Sequence, residues 1–376
     1  MSASSPVGIG AGRARLRRRL RLAVAGGVVL LGLLAAELAL RLFAPAPGQF
    51  EVSLFVPDPD PLIGYRMRPG LRARVRWTGS DEPMEVAING WGMRDPERPR
   101  EKPPGVRRVM VLGDSFTHGA VPREQGFCAQ LEALLGAGHE VWNTGVPGWA
   151  TREQAAWFAR DGRGFAPDAV VLAFFVGNDL LENQRQRQQE VQDGELVSRR
   201  SFWRQLRNRS RLYRLLKALP ERLSCALSGD SLAARRYHEE EAERLRVCAP
   251  DADQRFAEGW RAAAEGLRAI REAAKPLPLV VLAIPDEVQV DPALLRAVCA
   301  RTGEDPARFQ LGAPQARLAA LCRELELPLI DPLEELRART AAGQAQYLPL
   351  DSHWNARANQ LAAERLAAAL RPLLAP

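Results

Sequence analysis

Residues 169–175 read AVVLAFF, seven apolar residues in succession with no polar position among them. The run is far too short to cross a membrane, and it lacks the alternation of a strand with one wet face. It reads as a strand buried on both sides, the kind found in a parallel sheet with helices on each face. The surrounding sequence fits that frame. Further apolar strands are expected at Arg107–Leu112 (RRVMVL), Glu140–Trp142, Leu279–Ile284 and Pro328–Ile330. Helical spacing of apolar residues predicts helices over Glu124–Leu135, Thr151–Arg160 and Ala252–Ala274, near 291–303 and 314–325, and over Ala356–Leu370. Strand and helix in alternation predict an α/β fold, a three-layer α/β/α arrangement around a parallel sheet. Ligands of such sheets gather beyond the carboxyl ends of the strands. With 376 residues, 46% hydrophobic and 26% charged, the chain has ordinary globular composition and can bury a large core.

The N-terminus is built differently. Residues 22–40 (LAVAGGVVLLGLLAAELAL) carry one charge, Glu37, and as a helix would span roughly 28 Å, close to a bilayer core. Arginines at 13, 15, 17, 18, 19 and 21 precede this run, which predicts a cytoplasmic N-terminus and a body on the far side of the membrane. A cleavable signal peptide is the competing reading, although Pro47 follows the small-residue site Ala44-Pro45-Ala46 directly. Glu37 and Arg41 are one helical turn apart and can pair. Residues 1–41 carry seven arginines and one acid, a net +6, so of the chain's formal +7 only +1 remains for the other 335 residues. A nearly neutral body argues against nucleic-acid binding.

The expected organisation is a basic segment at 1–21, a transmembrane helix at 22–40, a linker with a small β-rich lead-in at 41–105, and the α/β domain at 106–376. Strand-like stretches in the lead-in are Ala73–Thr78 and Met84–Ile88. Residues 181–250 interrupt the alternation and read as a helical insertion, with amphipathic pieces such as Phe202–Leu219 and Arg/Glu runs expected to be solvated faces. Of the five cysteines (128, 225, 248, 299, 322) at least one must be unpaired. Cys299–Cys322 is the pair the sequence favours, without settling the connectivity. Four scattered histidines and no CxxC spacing predict no metal site, and no cofactor is expected.

Four polar segments follow, or lie near, strand ends: Gly113-Asp114-Ser115-Phe116-Thr117-His118-Gly119, Asn143-Thr144-Gly145-Val146-Pro147-Gly148, Gly177-Asn178-Asp179 and Asp351-Ser352-His353-Trp354-Asn355. A serine on a glycine-bounded turn can present its hydroxyl and neighbouring N–H groups to one space. Glycine lets backbone approach closely and offers its N–H. Asn supplies an amide donor, and an imidazole needs an acid to fix its tautomer.

In this order the segments resemble the SGNH (GDSL-type) hydrolase family. RRVMVLGDSFTHG resembles its first block, NTGVPGW its second, FFVGND its third and DSHWN its fifth. The resemblance spans about residues 106–372. It implies an SGNH hydrolase-like, flavodoxin-like fold with Ser115 as nucleophile, His353 as general base and Asp351 as the acid that orients it. The oxyanion hole would be formed by Ser115, Gly148 and Asn178. Phe116 stands where the eponymous motif has Leu, and the fifth block is Asp-x-His rather than Asp-x-x-His. That spacing, with Trp354 following, is similar to the branch related to exopolysaccharide O-acetyl-transfer proteins. Asn89–Arg94 (NGWGMR) is similar to a lead-in of membrane-anchored bacterial members, where Arg94 would be structural.

The resemblance therefore implies an ester hydrolase or O-acyl transferase acting on an extracytoplasmic acyl ester such as an acylated glycan. The competing class is a non-catalytic, membrane-tethered glycan-binding or scaffold protein on the same fold. His118 is expected at the pocket rim and His139 and His238 on the surface. Trp149 and Trp354 are expected to pack, or to stack on a sugar.

Overall fold

A computed structural model of the protein describes residues 8–43, 54–75, 83–185, 189–192, 195–198, 210–213, 215–216, 219 and 231–375. The chain forms two units, one of residues 1–48 with 200–230, the other of residues 49–199 with 231–376. Cys225, Thr78 and most of the stretch 202–219 lie outside the described residues.

The first unit is helix α1 (Gly8–Phe43) and a short segment that meets it. Within α1, Leu20–Phe43 has a mean hydropathy of 2.2 and is long and apolar enough to cross a membrane or to serve as a signal sequence. Glu37 accepts from Arg41 Nε at 2.8 Å, the pairing its spacing predicts. It also accepts from the Ser210 hydroxyl at 2.8 Å and from the N–H groups of Arg211 and Leu212 at 3.0 and 2.9 Å, so its carboxylate caps the turn that begins there.

The second unit begins with two antiparallel hairpins, β1 (Phe55–Pro57) with β2 (Tyr65–Met67) and β3 (Arg72–Val75) with β4 (Met84–Ala87). The alternation then follows: β5 (Arg107–Leu112), a four-residue turn α2 (Ser115–His118), α3 (Phe127–Leu135), β6 (His139–Asn143), α4 (Thr151–Arg160), β7 (Ala169–Phe175) and α5 (Asp179–Arg185). A small hairpin pairs β8 (Gln189–Gln192) with β9 (Glu195–Ser198), and α6 (Leu232–Leu245) and α7 (Ala252–Arg255) precede α8 (Ala257–Ala274). After β10 (Leu279–Ile284) come α9 (Glu287–Val290), α10 (Pro292–Thr302), α11 (Ala313–Glu324), β11 (Leu329–Ile330) and α12 (Leu333–Ala341). The chain ends with a hairpin of β12 (Tyr347–Leu348) and β13 (Asp351–Trp354) and the helix α13 (Ala356–Leu374).

Five strands pair in the order β11-β10-β7-β5-β6, all parallel. Every residue of β7 is buried, as its composition requires. Side chains of alternate parity face opposite layers: Val109 and Val111 share a core with α3, α12 and α13, while Met110 and Leu112 share one with α4, α8 and the lead-in. The expected three-layer α/β/α fold is therefore what the chain forms. Leu361, Leu366 and Leu370 of α13 are fully buried, each stabilising the layer by about 1.5–3 kcal/mol. Local signals set the helix ends. In α10, Asp291 caps Ala293 N–H at 2.7 Å, Pro292 takes the first position and Gly303 closes the helix at φ +73°.

Some expectations shift. The helix expected from Glu124 starts at Phe127, because residues 123–125 form a 3₁₀ turn. The helix expected over 252–274 breaks at Phe256, which leaves the α region. The favoured pair Cys299–Cys322 is not bonded: both are buried free thiols, as are Cys128 and Cys248. Two successive helices carry the pair, but each thiol is absorbed into the same apolar core.

The lead-in is clamped to α4 at both ends of that helix. Asp58, just after β1, takes a bidentate pair from Arg160 at 2.6 and 3.0 Å. At the other end, Trp149 Nε1 donates to the Tyr65 carbonyl at 3.0 Å, and Tyr65 Oη donates to the Pro147 carbonyl at 2.9 Å.

Candidate active site

At the carboxyl end of strand β5, which lies between β7 and β6, the backbone must turn at once into α2. Gly113 permits this: an added Cβ would lie 2.0 Å from Thr117 Oγ1. Asp114 caps the turn, its Oδ1 accepting Phe116 N–H at 2.9 Å. Ser115 is the first residue of α2, half-buried, and its N–H has no intrahelical acceptor.

The loop after β6 presses against this turn. Asn143 Nδ2 donates to the Thr117 carbonyl at 2.7 Å, and its Oδ1 accepts Gly145 N–H at 3.1 Å. A Cβ on Gly145 would lie 2.4 Å from His118 N, so only glycine allows the approach. Gly148 has φ +79° and is partly exposed, and its N–H finds no acceptor among the described residues. Asn178 follows β7 on the other side of β5, at the entry to α5. Its side-chain amide makes no hydrogen bond among the described residues. Ser115, Gly148 and Asn178 thus stand at the same edge of three adjacent strands.

Asp351 and His353 reach that edge on β13, a strand the polar sequence DSHW gave no sign of. The spacing Asp-x-His lets one carboxylate oxygen serve one residue twice. Asp351 Oδ1 lies 2.5 Å from His353 Nδ1 and accepts His353 N–H at 2.9 Å. The His353 ring centroid is 4.8 Å from that of Phe116, the residue after Ser115, and Phe116 lies 4.5 Å from Phe175 at the end of β7. Burial pushes the Asp351 carboxyl up, but the hydrogen bonds and charge of His353, with Arg244 beyond, outweigh it and hold the group below its ordinary range. Burial raises Asp114 to about 6 against the pull of Phe116 N–H, His353 and Arg244. Burial also raises Asp179 well above its ordinary range, and the charge of Asp114 adds to the effect.

Several residues differ from their sequence reading. The Arg/Glu run on α6 is not a solvated face at its C-terminal end: the Glu241 side chain is fully buried and that of Arg244 is 11% exposed. Arg244 pairs with Glu241 at 2.9 Å, lies 3.9 Å from Asp286, donates to the Ser352 hydroxyl between Asp351 and His353, and stands 5.5 Å from the Phe175 ring. Burial and the charge of Asp286 push Glu241 well above the carboxylate range. A Cβ on Gly177 would lie 2.3 Å from Asp286 Oδ2, so this charged cluster abuts the Asn178 loop. The i, i+3 spacing of Glu241 and Arg244 marks a helix pair; its burial is set by where α6 lands.

His118 is not at a rim but buried, and burial drives its pKa well below the usual histidine value. His139 and His238 are half-buried rather than superficial. Trp149 and Trp354 are each 2% exposed and pack inside, so neither offers a face to a sugar. Arg94 is structural, as expected, donating to the carbonyls of His118 and Val121 at 2.9 and 2.8 Å and so pinning the chain that leaves α2. Among the described residues no three His, Cys, Asp or Glu side chains gather to ligate a metal.

No curated protein matches the chain in sequence. Similar solved structures include an acetyl xylan esterase, AlAXEase (13% identity, 70% of this chain and 99% of that one, TM-score 0.39). Others are a carbohydrate acetylesterase family member from Sinorhizobium meliloti (12%, 72% and 99%, 0.37) and an inhibitor-bound aryl esterase of M. smegmatis (12%, 72% and 100%, 0.37). The profile of the GDSL-like Lipase/Acylhydrolase family matches residues 111–361, from the last turn-ward residues of β5 into α13. With two thirds of its length matched, the chain belongs to the GDSL-like lipase/acylhydrolase family and is an ester-cleaving enzyme.

Proposed function

We propose that this enzyme is a serine-dependent ester hydrolase or O-acyl transferase with a Ser115–His353–Asp351 triad, working outside the cytoplasm on an acylated substrate such as a glycan. The observation that carries the reading is the Asp351–His353 pair at 2.5 Å, on a strand that packs against the turn bearing Ser115. With Asp351 accepting from Nδ1, the His353 Nε2 lone pair takes the Ser115 proton as Oγ attacks the ester carbonyl. The carbonyl oxygen becomes an oxyanion, received by the N–H groups of Ser115 and Gly148 and the amide of Asn178. Collapse expels the alcohol, which takes the proton from His353 and leaves an acyl-Ser115 ester. A water or a sugar hydroxyl, deprotonated by His353, then attacks that ester and frees Ser115.

The glycan substrate follows from the resemblance of the DSHW block to O-acetyl-transfer proteins. The extracytoplasmic site follows from the apolar span in α1 and the arginines before it.

The test is hydrolysis of p-nitrophenyl acetate, together with a serine-directed phosphonate and mass mapping of its adduct. The adduct should sit on Ser115. Ser115→Ala and His353→Ala should each reduce turnover nearly to background, with the double variant no worse, because the two act as a unit. Wild-type turnover in Ser115→Ala would refute the triad, whereas no turnover and no adduct in the parent protein would leave the glycan-binding reading. Membrane-bound protein with an intact N-terminus is expected on fractionation, and soluble protein beginning near residue 47 would refute the anchor.

A further inference from the structure

We propose that Tyr65 is a positioning residue for the oxyanion hole, its phenol holding the Pro147–Gly148 peptide so that the Gly148 N–H faces the reacting carbonyl. The inference rests on the oxyanion reading of Gly148. Tyr65 lies in the lead-in, outside the stretch that matches the family profile.

Val146–Trp149 is a tight turn closed by Trp149 N–H to the Val146 carbonyl at 3.0 Å. Pro147 occupies its second position, and Gly148 its third at φ +79°. Pro followed by a glycine at positive φ is the pattern of a type II turn. Types I and II differ by rotation of the central peptide, which here is the Pro147–Gly148 peptide itself. In a trans peptide the C=O and N–H point in opposite directions. A flip would therefore swing the Gly148 N–H away from the site while leaving the closing hydrogen bond intact. Proline tolerates either form, and glycine adds no side chain to resist the change.

What distinguishes the two forms is the partner of the Pro147 carbonyl, and that partner is the Tyr65 hydroxyl at 2.9 Å. The bond also polarises the peptide, making its N–H a better donor. Tyr65 is itself fixed. It is 4% exposed, its carbonyl accepts from Trp149 Nε1, its ring meets Phe55 edge-on at 5.3 Å, and the β1–β2 hairpin that carries it is held by the Asp58–Arg160 pair. Burial, with the charges of Glu153, Glu182 and Asp114, pushes the phenol well above its ordinary value, so it remains a donor.

The experiment is Tyr65→Phe in the full-length enzyme in detergent, which keeps the ring and removes the hydroxyl. Active sites are counted by phosphonate titration, so that only folded, competent molecules enter kcat. Removal of an oxyanion donor costs about 10²–10³ in kcat, and here the donor stays while its orientation is released. The expected loss in kcat is about tenfold with KM unchanged, and a trifluoromethyl ketone, whose adduct carries the oxyanion, should bind about tenfold more weakly. A purely structural role would lower the number of titratable sites and leave kcat per site alone. Asn178→Ala and Gly148→Ala separate the two levels. Wild-type kcat per site in Tyr65→Phe, with both of these impaired, overturns the role of Tyr65 and keeps the oxyanion hole. Wild-type kcat in all three overturns both.

Discussion

Glu153 lies in the first turn of α4, where the Gly148 loop enters that helix. It is 5% exposed, and its Oε2 accepts Ala150 N–H at 3.1 Å. Burial raises its carboxyl from 4.5 to about 8, against the opposing pull of the backbone N–H groups. The unfolded chain releases this proton near pH 4.5, whereas the folded protein holds it until about pH 8. Between those values the folded state binds more protons than the unfolded one, so stability falls as pH rises through the window. At pH 7 the gap of about 2.5 units at about 1.4 kcal/mol each gives about 3.5 kcal/mol of lost stability. Glu153→Gln keeps an oxygen for the Ala150 N–H and removes the ionisation. The variant should be more stable than the parent by about 3.5 kcal/mol at pH 7 and equal to it near pH 4. Chemical denaturation in detergent micelles at a series of pH values, followed by tryptophan fluorescence, reads both curves. A destabilised variant, or a difference that does not shrink as pH falls, would refute the reasoning.

Asn178→Ala should lower kcat by about 10²–10³ with the fold unchanged, measured on p-nitrophenyl acetate beside circular dichroism. Arg244→Met should cost about 3–5 kcal/mol, because it strips the cation from buried Glu241 and Asp286. Adding Glu241→Gln should recover part of that loss in the denaturation midpoint, since it removes one of the stranded acids.

Strands β7 and β10 were legible to the residue because nothing but burial on both faces explains AVVLAFF and LVVLAI. Helix α4 was equally legible from its periodicity and the loop before it. The turn that bears Ser115, the proposed nucleophile, could be read for a local reason: Gly113 and Asp114 set its geometry beside that residue. β13 could not, since its residues alternate without apolar character and become a strand only because Tyr347 and Leu348 fold back on them. Glu241 and Arg244 carry an ordinary helix-surface spacing, and nothing local says that they land against Phe175 and Asp286. Tyr65 is an isolated aromatic in a Pro- and Gly-rich stretch, and its meaning resides wholly in a partner 82 residues away.

The first and last helices around the sheet are joined directly: Asn359 of α13 accepts the Phe127 N–H that opens α3, across 232 residues of chain. The same asparagine donates to the Trp354 carbonyl at 3.1 Å, one residue beyond His353. A ribosome delivers Ser115 long before it delivers α13. The sheet strands can begin to pair during synthesis, but the histidine cannot be seated opposite the serine until α13 has emerged and docked. In the proposed triad, then, the Ser115 turn is made early in synthesis and its base is seated only once β13 and α13 have followed.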